Sequence, residues 1–253
     1  MSESYEFKNP LLKKAVNSYC IVYNEYYGFY YLFAGLGERE CSTIIAGRSM
    51  NKDGPFVDCL DNAMQQPSTE VNYVVALPPY HMDESKAYTG FCDPVVSKDC
   101  KEITLTAYSY GSKEPEVLTT KLDFLDGWPV IVPFEVDYLA LEDKYEYQKS
   151  DADLAGDYEF LRFVKEIPMP PIETVKLSLW HIDIEKGFGL AGLLGSIKGK
   201  WDYIIGDSYL TLEFPNFKAK LKVSKLGGHI VMSGLDDKGN VIFAKKYIPG
   251  NGE

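Results

Sequence analysis

A histidine and a carboxylate two residues apart on an extended segment share one face of the chain, and His181 and Asp183 have that spacing. Such a pair can serve as acid and base toward one ligand, with Glu185 extending the face. Trp180, Ile182 and Ile184 alternate with them, which is equally the pattern of a strand with one wet side. His81, His181 and His229 are the only histidines, and none stands in the H-x-H, H-E-x-x-H or C-x-x-C company that metal ligation favours. No metal and no cofactor are therefore expected.

A second segment draws attention for the opposite reason. Residues 187–197 carry no charge, are rich in glycine, and hold Phe188, Leu190, Leu193, Leu194 and Ile197. An apolar yet flexible stretch suits a partner-docking loop, a lid, or a tip that enters a membrane interface; it equally suits a buried connector. The five large apolar side chains are the candidate partner-binding residues. Gly187, Gly189 and Gly192 match the dinucleotide-binding pattern literally, but Gly192, Gly195 and Gly199 interrupt the helix that must follow to meet a pyrophosphate. Nucleotide binding is disfavoured on that ground.

Nucleophilic chemistry has little support. There is no G-x-S-x-G elbow and no phosphate loop, and a pairing of Cys92 with His81 has no local signature behind it. The cysteines, Cys20, Cys41, Cys59, Cys92 and Cys100, are odd in number and widely spaced. Reduced thiols are expected, although Cys92 and Cys100 could close a small loop.

The elements that would hold these residues read mainly as strands. Residues 18–33 concentrate Tyr19, Tyr23, Tyr26, Tyr27, Phe29, Tyr30, Tyr31 and Phe33, and a turn at 24–28 would pair 19–23 with 29–33, with 43–46 as a third strand. This favours a core hairpin over an aromatic platform for a ligand, though a helix is an alternative for the same run. Pro55 predicts a short helix to residue 66, and Leu154, Tyr158, Leu161 and Val164 predict another over 151–167. Strands are expected at 71–77, 102–110, 117–125 and 129–141, with a long loop at 78–94 as a possible site location. Phe217, Ala219, Leu221 and Val223 alternate strictly with Lys218, Lys220, Lys222 and Ser224, so one face is buried and the other wet. The run from Asp236 to Asn240 is hairpin-turn chemistry rather than a calcium loop.

The fold class expected is α+β, β-rich, with antiparallel sheets in a sandwich or barrel-like arrangement and two or three short helices. Pro168, Pro170 and Pro171 suggest an N-terminal body over 1–167 and a C-terminal antiparallel meander over 172–253, or a single domain. The chain has 253 residues and a net charge of −11. Residues 1–170 hold 15 basic and 28 acidic side chains, whereas 171–253 hold 11 and 9. Nucleic acid is a poor partner for so acidic a surface. The absence of a basic-then-apolar leader, or of any run of about 18 apolar residues, suggests a cytosolic protein.

From acidity, nineteen tyrosines and no catalytic constellation, the sequence predicts a non-catalytic binding protein. It would capture a macromolecular partner, a basic protein fitting best, as an inhibitor, immunity-type factor or assembly subunit. The alternative is an enzyme or small-ligand receptor with a pocket at a sheet or barrel end lined by His181 and Asp183. A third reading is membrane-interface binding through 187–197.

Overall fold

The aromatic and β-branched runs form antiparallel strands almost throughout. The computed structural model describes residues 16–36, 43–64, 73–75, 88–109, 114–132, 151–163, 173–179, 181–185, 197–204, 209–226 and 229–246. The chain divides into two units, Met1–Ile131 and Val132–Glu253.

The first unit is two four-stranded sheets, each in simple chain order. One holds β1 (Val16–Asn24), β2 (Phe29–Leu36), β3 (Thr43–Ser49) and β4 (Tyr73–Val75); the other holds β5 (Tyr88–Val96), β6 (Glu102–Ser109), β7 (Pro115–Leu125) and β8 (Trp128–Ile131). The expected hairpin at 19–33 forms, pairing Tyr23 with Tyr30 and Cys20 with Phe33. Alternation along β2 sends Tyr31 and Phe33 to one face and Leu32 and Ala34 to the other, and all four are fully buried. Leu32, Ala34, Ile45 and Phe56 form one core cluster, edged by Tyr19, Ile21, Tyr30 and Met64. On the second sheet Ile103, Leu105 and Ala107 are buried in alternation, as their spacing predicts. Strand β5 packs against β1, β2 and β3.

Three local expectations fail here. Residues 55–64 are not helical: Val57 bridges both Arg48 and Ala63, after a cis Gly54–Pro55 bond. The cause is Asp58, whose buried carboxylate accepts from the backbone N–H groups of Leu60 and Asn62, both at 2.9 Å, and from Asn62 Nδ2 at 3.2 Å. A side chain that satisfies nearby N–H groups competes with the helix ladder. Part of the expected loop at 78–94 is strand β5, whose register shifts on both sides of Cys92. Gly90 and Asp93 take positive φ there, and Pro94 sits in a strand at the edge of its sheet, where a missing N–H is tolerated.

The second unit is a closed barrel of eight antiparallel strands: β9 (Gly156–Arg162), β10 (Glu173–Ser178), β11 (His181–Glu185), β12 (Ile197–Ile204), β13 (Tyr209–Glu213), β14 (Lys218–Leu226), β15 (His229–Asp236) and β16 (Val241–Lys246). Closure comes from β9, which pairs with both β10 and β16. The third failed expectation is the helix at 151–167. Only α1 (Asp151–Leu154) is helical, and it is the single helix among the described residues. Tyr158 and Phe160 fit a period of two as well as Leu154, Tyr158 and Leu161 fit one of three and four, and pairing on both sides decides for the strand. The two or three short helices of the expected fold class are therefore not found, while the β-rich antiparallel architecture is.

The barrel interior is filled with side chains, including Tyr158, Phe160, Leu210, Leu221 and Ile242, as eight strands allow. Phe217 just before β14, and Ala219, Leu221 and Val223 on it, point inward while Lys218 is exposed and Lys220 and Lys222 are half-buried. Any Cβ at Gly234 would collide with the backbone of Lys220 and Leu221, so that close strand approach admits only glycine. The turn between β15 and β16 is built on Asp236. Its Oδ1 accepts from the N–H groups of Lys238 (2.9 Å) and Asn240 (2.8 Å), and its Oδ2 accepts from Asn240 Nδ2 (2.9 Å) and Arg162 Nε (2.7 Å).

Two tyrosines in this core have opposite hydrogen-bond states. Tyr158 donates its hydroxyl to the Leu154 carbonyl at 2.7 Å, whereas the buried Tyr203 hydroxyl has no partner among the described residues. Tyr158→Phe is expected to cost about 1 kcal/mol, and Tyr203→Phe to be neutral or stabilising, since it deletes a desolvated group with no compensating bond. Urea unfolding of both variants checks the pair; equal losses would show that Tyr203 is satisfied in solution.

Candidate functional site

Arg48, on β3, stands against two aromatic rings. Its backbone position pairs with Tyr31 of β2, so both lie on the sheet face that also carries Phe29. The guanidinium stands 5.3 Å from the centroid of Phe29 and 6.0 Å from that of Trp128. It reaches Asp61 Oδ1 at 3.0 Å, with the Arg48 side chain 20% and that of Asp61 72% exposed. Planar, weakly hydrated guanidinium suits such a place better than ammonium would.

The β7–β8 turn completes the cluster. Asp126 and Gly127 both take positive φ, and Tyr31 donates its hydroxyl to the Gly127 carbonyl. A side chain at Gly127 would be strained by its φ of +74° and would stand 3.3 Å from the Tyr27 ring. Phe124 lies between Tyr27 (5.3 Å) and Tyr31 (5.1 Å). Burial raises the Tyr31 phenol, with Arg48 opposing the shift; burial and then the charges of Tyr26, Asp123 and Asp126 raise that of Tyr27. Both remain neutral donors at ordinary pH. Trp128 Nε1 is buried with no acceptor among the described residues. The chemistry on offer is a fixed cationic donor, aromatic walls and nearby carboxylates, which suits a polyhydroxylated ligand.

Beside this cluster, the hairpin turn after β1 exposes Tyr26, at 87%, while Tyr23 at the end of β1 is 45% exposed. Asn24 fixes the turn: its Oδ1 accepts from the N–H groups of Tyr26 (3.0 Å) and Tyr27 (3.3 Å), and its carbonyl accepts from Gly28 N at 2.9 Å. The aromatic run is thus partly core, through Tyr31 and Phe33, and partly surface.

His181 and Asp183 are both on β11. Their backbone register sets His181 against Ser178, and Asp183 against Lys176 on one side and Lys198 on the other. Ile182 between them is in the barrel core. The side chains of His181 and Asp183 lie outside the described residues. So do Phe188, Leu190, Leu193 and Leu194 altogether, while Ile197 begins β12, paired with Ile184. Sequence reading passed over Arg48, Asp61 and Trp128. The available signal was scarcity: Arg39, Arg48 and Arg162 are the only arginines, and Arg48 closes an apolar strand.

Cys20, Cys92 and Cys100 are free thiols. Burial pushes Cys20 up to about 11, and burial with the adjacent Asp93 does the same to Cys92. Among the described residues no cluster of three or more ligating side chains occurs, and no helix is long and apolar enough to cross a membrane.

No family model and no curated protein matches the chain. Solved structures do. The endo-1,5-α-L-arabinanase of Thermotoga petrophila RKU-1 superposes with a TM-score of 0.72 at 19% identity, over 92% of this chain and 56% of that one. Its complex with Tris gives 0.69 at 20%, over 92% and 55%. A glycoside hydrolase family 43 protein of Bacillus licheniformis gives 0.67 at 18%, over 89% and 54%. The chain spans little more than half the length of these proteins, and the likeness is one of fold. It nonetheless overturns the expectation of a non-catalytic capture protein: the architecture is one found in glycoside hydrolases, and of the three sequence readings the enzyme or ligand-receptor alternative agrees with it best.

Two outcomes follow from the site's geometry. Arg48→Met should destabilise by about 1–3 kcal/mol by removing a half-buried cation from its aromatic and carboxylate contacts. Asp61→Asn should stay within about 0.5 kcal/mol because that end of the pair is in water; chemical denaturation of both variants separates the two effects. Cys20 and Cys92 should react with iodoacetamide at pH 8 at least about tenfold more slowly in the folded chain than in urea, since the thiolate is the nucleophile. Their raised values mean that the stability these neutral thiols contribute is complete below the ordinary thiol range and is lost as pH rises through about 11. Peptide mapping of the label reads this out, and fast labelling of the folded chain would contradict it.

Proposed function

We propose that this chain works on a polysaccharide, as the whole or a part of a glycoside hydrolase, with an arabinan-type glycan as its substrate class. The observation that carries the proposal is the fold likeness to an endo-1,5-α-L-arabinanase over 92% of the chain and to a glycoside hydrolase family 43 protein over 89%. The Arg48 cluster supports it independently. Sugar rings present apolar C–H faces and hydroxyl edges, and Phe29 with Arg48 and Asp61 offers an aromatic surface beside a donor and an acceptor.

Glycoside hydrolysis uses one carboxylic acid to protonate the leaving oxygen and a second carboxylate as base or nucleophile. The acidic excess of residues 1–170, 28 acidic against 15 basic, is in keeping with that requirement. It is also in keeping with a neutral substrate rather than a polyanion.

The test is incubation of the chain with debranched arabinan, linear 1,5-linked arabino-oligosaccharides, xylan and galactan, followed by assay of new reducing ends and by electrophoresis through gels containing each polymer. Release of reducing ends from arabinan, with retardation in the arabinan gel, is the expected result. Retardation without cleavage would restrict the function to recognition. Neither effect with any polymer would overturn the proposal.

A further inference from the structure

Tyr26 is the most exposed large hydrophobic side chain among the described residues, at 87%, and it stands on a turn that is held rather than loose. The buried side chain of Asn24 takes the N–H groups of both Tyr26 and Tyr27, and Gly28, at a φ of +71°, closes the turn onto the Asn24 carbonyl. An aromatic ring kept in water on a fixed backbone has little ordering cost left when it meets a ligand.

The ring is also the outer end of a series. Tyr26 meets Tyr27 edge-on at 4.8 Å, Tyr27 meets Phe124 at 5.3 Å, and Phe124 meets Tyr31 at 5.1 Å. Tyr31 is the register partner of Arg48. Aromatic surface thus runs from the exposed tip to the Arg48 cluster. Tyr23 belongs elsewhere, since its ring packs on Tyr30 at 4.8 Å, and Tyr30 edges the core cluster on the opposite sheet face.

We propose that Tyr26 and Tyr27 form a stacking subsite for a neutral glycan chain, placed to deliver it toward Arg48. The inference rests on the proposed function and assigns a part of it to named residues. The occupant follows from charge and ring chemistry. Glu25 and Asp126 are exposed beside the two rings, so uronates and phosphates meet repulsion, while carboxylates accept readily from sugar hydroxyls. Sugar C–H faces pack on the flat side of an aromatic ring and leave the hydroxyls in water, which suits single rings set among carboxylates. A protein partner would need a broader apolar centre.

The experiment is affinity electrophoresis of the full chain in debranched arabinan, comparing wild type with Tyr26→Ala, Tyr26→Phe, the Tyr26→Ala/Tyr27→Ala double variant and Tyr23→Ala, each checked for an unchanged melting temperature. Tyr26→Ala should weaken retardation several-fold and the double variant about tenfold. Tyr26→Phe should retain it, and Tyr23→Ala should leave it within about twofold. If the double variant fails to fold, Tyr26→Ala alone decides, because a ring that exposed carries little packing. Wild-type binding unaffected by Tyr26→Ala would overturn the subsite and leave the proposed function standing. Equal loss with Tyr23→Ala would overturn it as well, as would retardation by polygalacturonate equal to that by arabinan. Absence of any wild-type binding would overturn both the subsite and the function.

Discussion

The barrel depends on one buried carboxylate. Asp236, whose side chain has no exposure, takes charge-assisted bonds from Arg162 on β9 as well as three bonds from its own turn between β15 and β16. Strand β9 precedes β16 by some eighty residues and must find it for the barrel to close. Arg162 makes that meeting specific. Its guanidinium lies 4.0 Å over the ring of Phe217 while gripping Asp236, so one cation joins the closing strand, the last hairpin and the segment before β14. A buried ion pair is costly to desolvate and gains only when every remaining lone pair is satisfied; the turn's N–H groups meet that condition.

The same turn occurs in the first unit without the arginine. Asp58 and Asn62 repeat the spacing of Asp236 and Asn240, with the Asp N–H donating to the Asn carbonyl at 2.9 Å and 3.0 Å respectively. Asp61 occupies in one the positive-φ position that Gly239 occupies in the other. Aspartate can hold the left-handed region where most side chains cannot. An Asp with an Asn four residues on is therefore a readable local instruction in both units. In residues 55–64 it overrides the helix that Pro55 suggested, because the carboxylate offers the N–H groups their partner first.

What was legible in the sequence was what short-range alternation decides. Strand β14 and the β1–β2 hairpin appear where their patterns put them, because one face of each is buried and a slip of one residue would invert it. What was not legible was decided at long range. Tyr158, Leu161 and Val164 fit a helix as well as Tyr158 and Phe160 fit a strand, and only β10 and β16 on either side resolve the choice. The 88–94 stretch resembled a loop because Gly90, Asp93 and Pro94 are what a bulged edge strand also uses.

The site was harder to read for a related reason. Sequence attention goes to residues close together, and His181 with Asp183 are close together on β11, where the backbone register sets Asp183 between Lys176 and Lys198. Arg48, Asp61 and Trp128 are brought together by β3, a turn and β8, and no spacing announces them. The acidity and the tyrosines were likewise read as one signal for a protein partner when they answer separate questions. Alternation drives Tyr31 into the core while the Asn24 turn holds Tyr26 outside, so a count of tyrosines says nothing of which are available. Carboxylates that would draw a basic protein also suit hydroxyl groups, and a ligand rich in hydroxyls needs aromatic faces beside them. The first unit places carboxylates and aromatic faces within one cluster, an arrangement that net charge alone does not reveal.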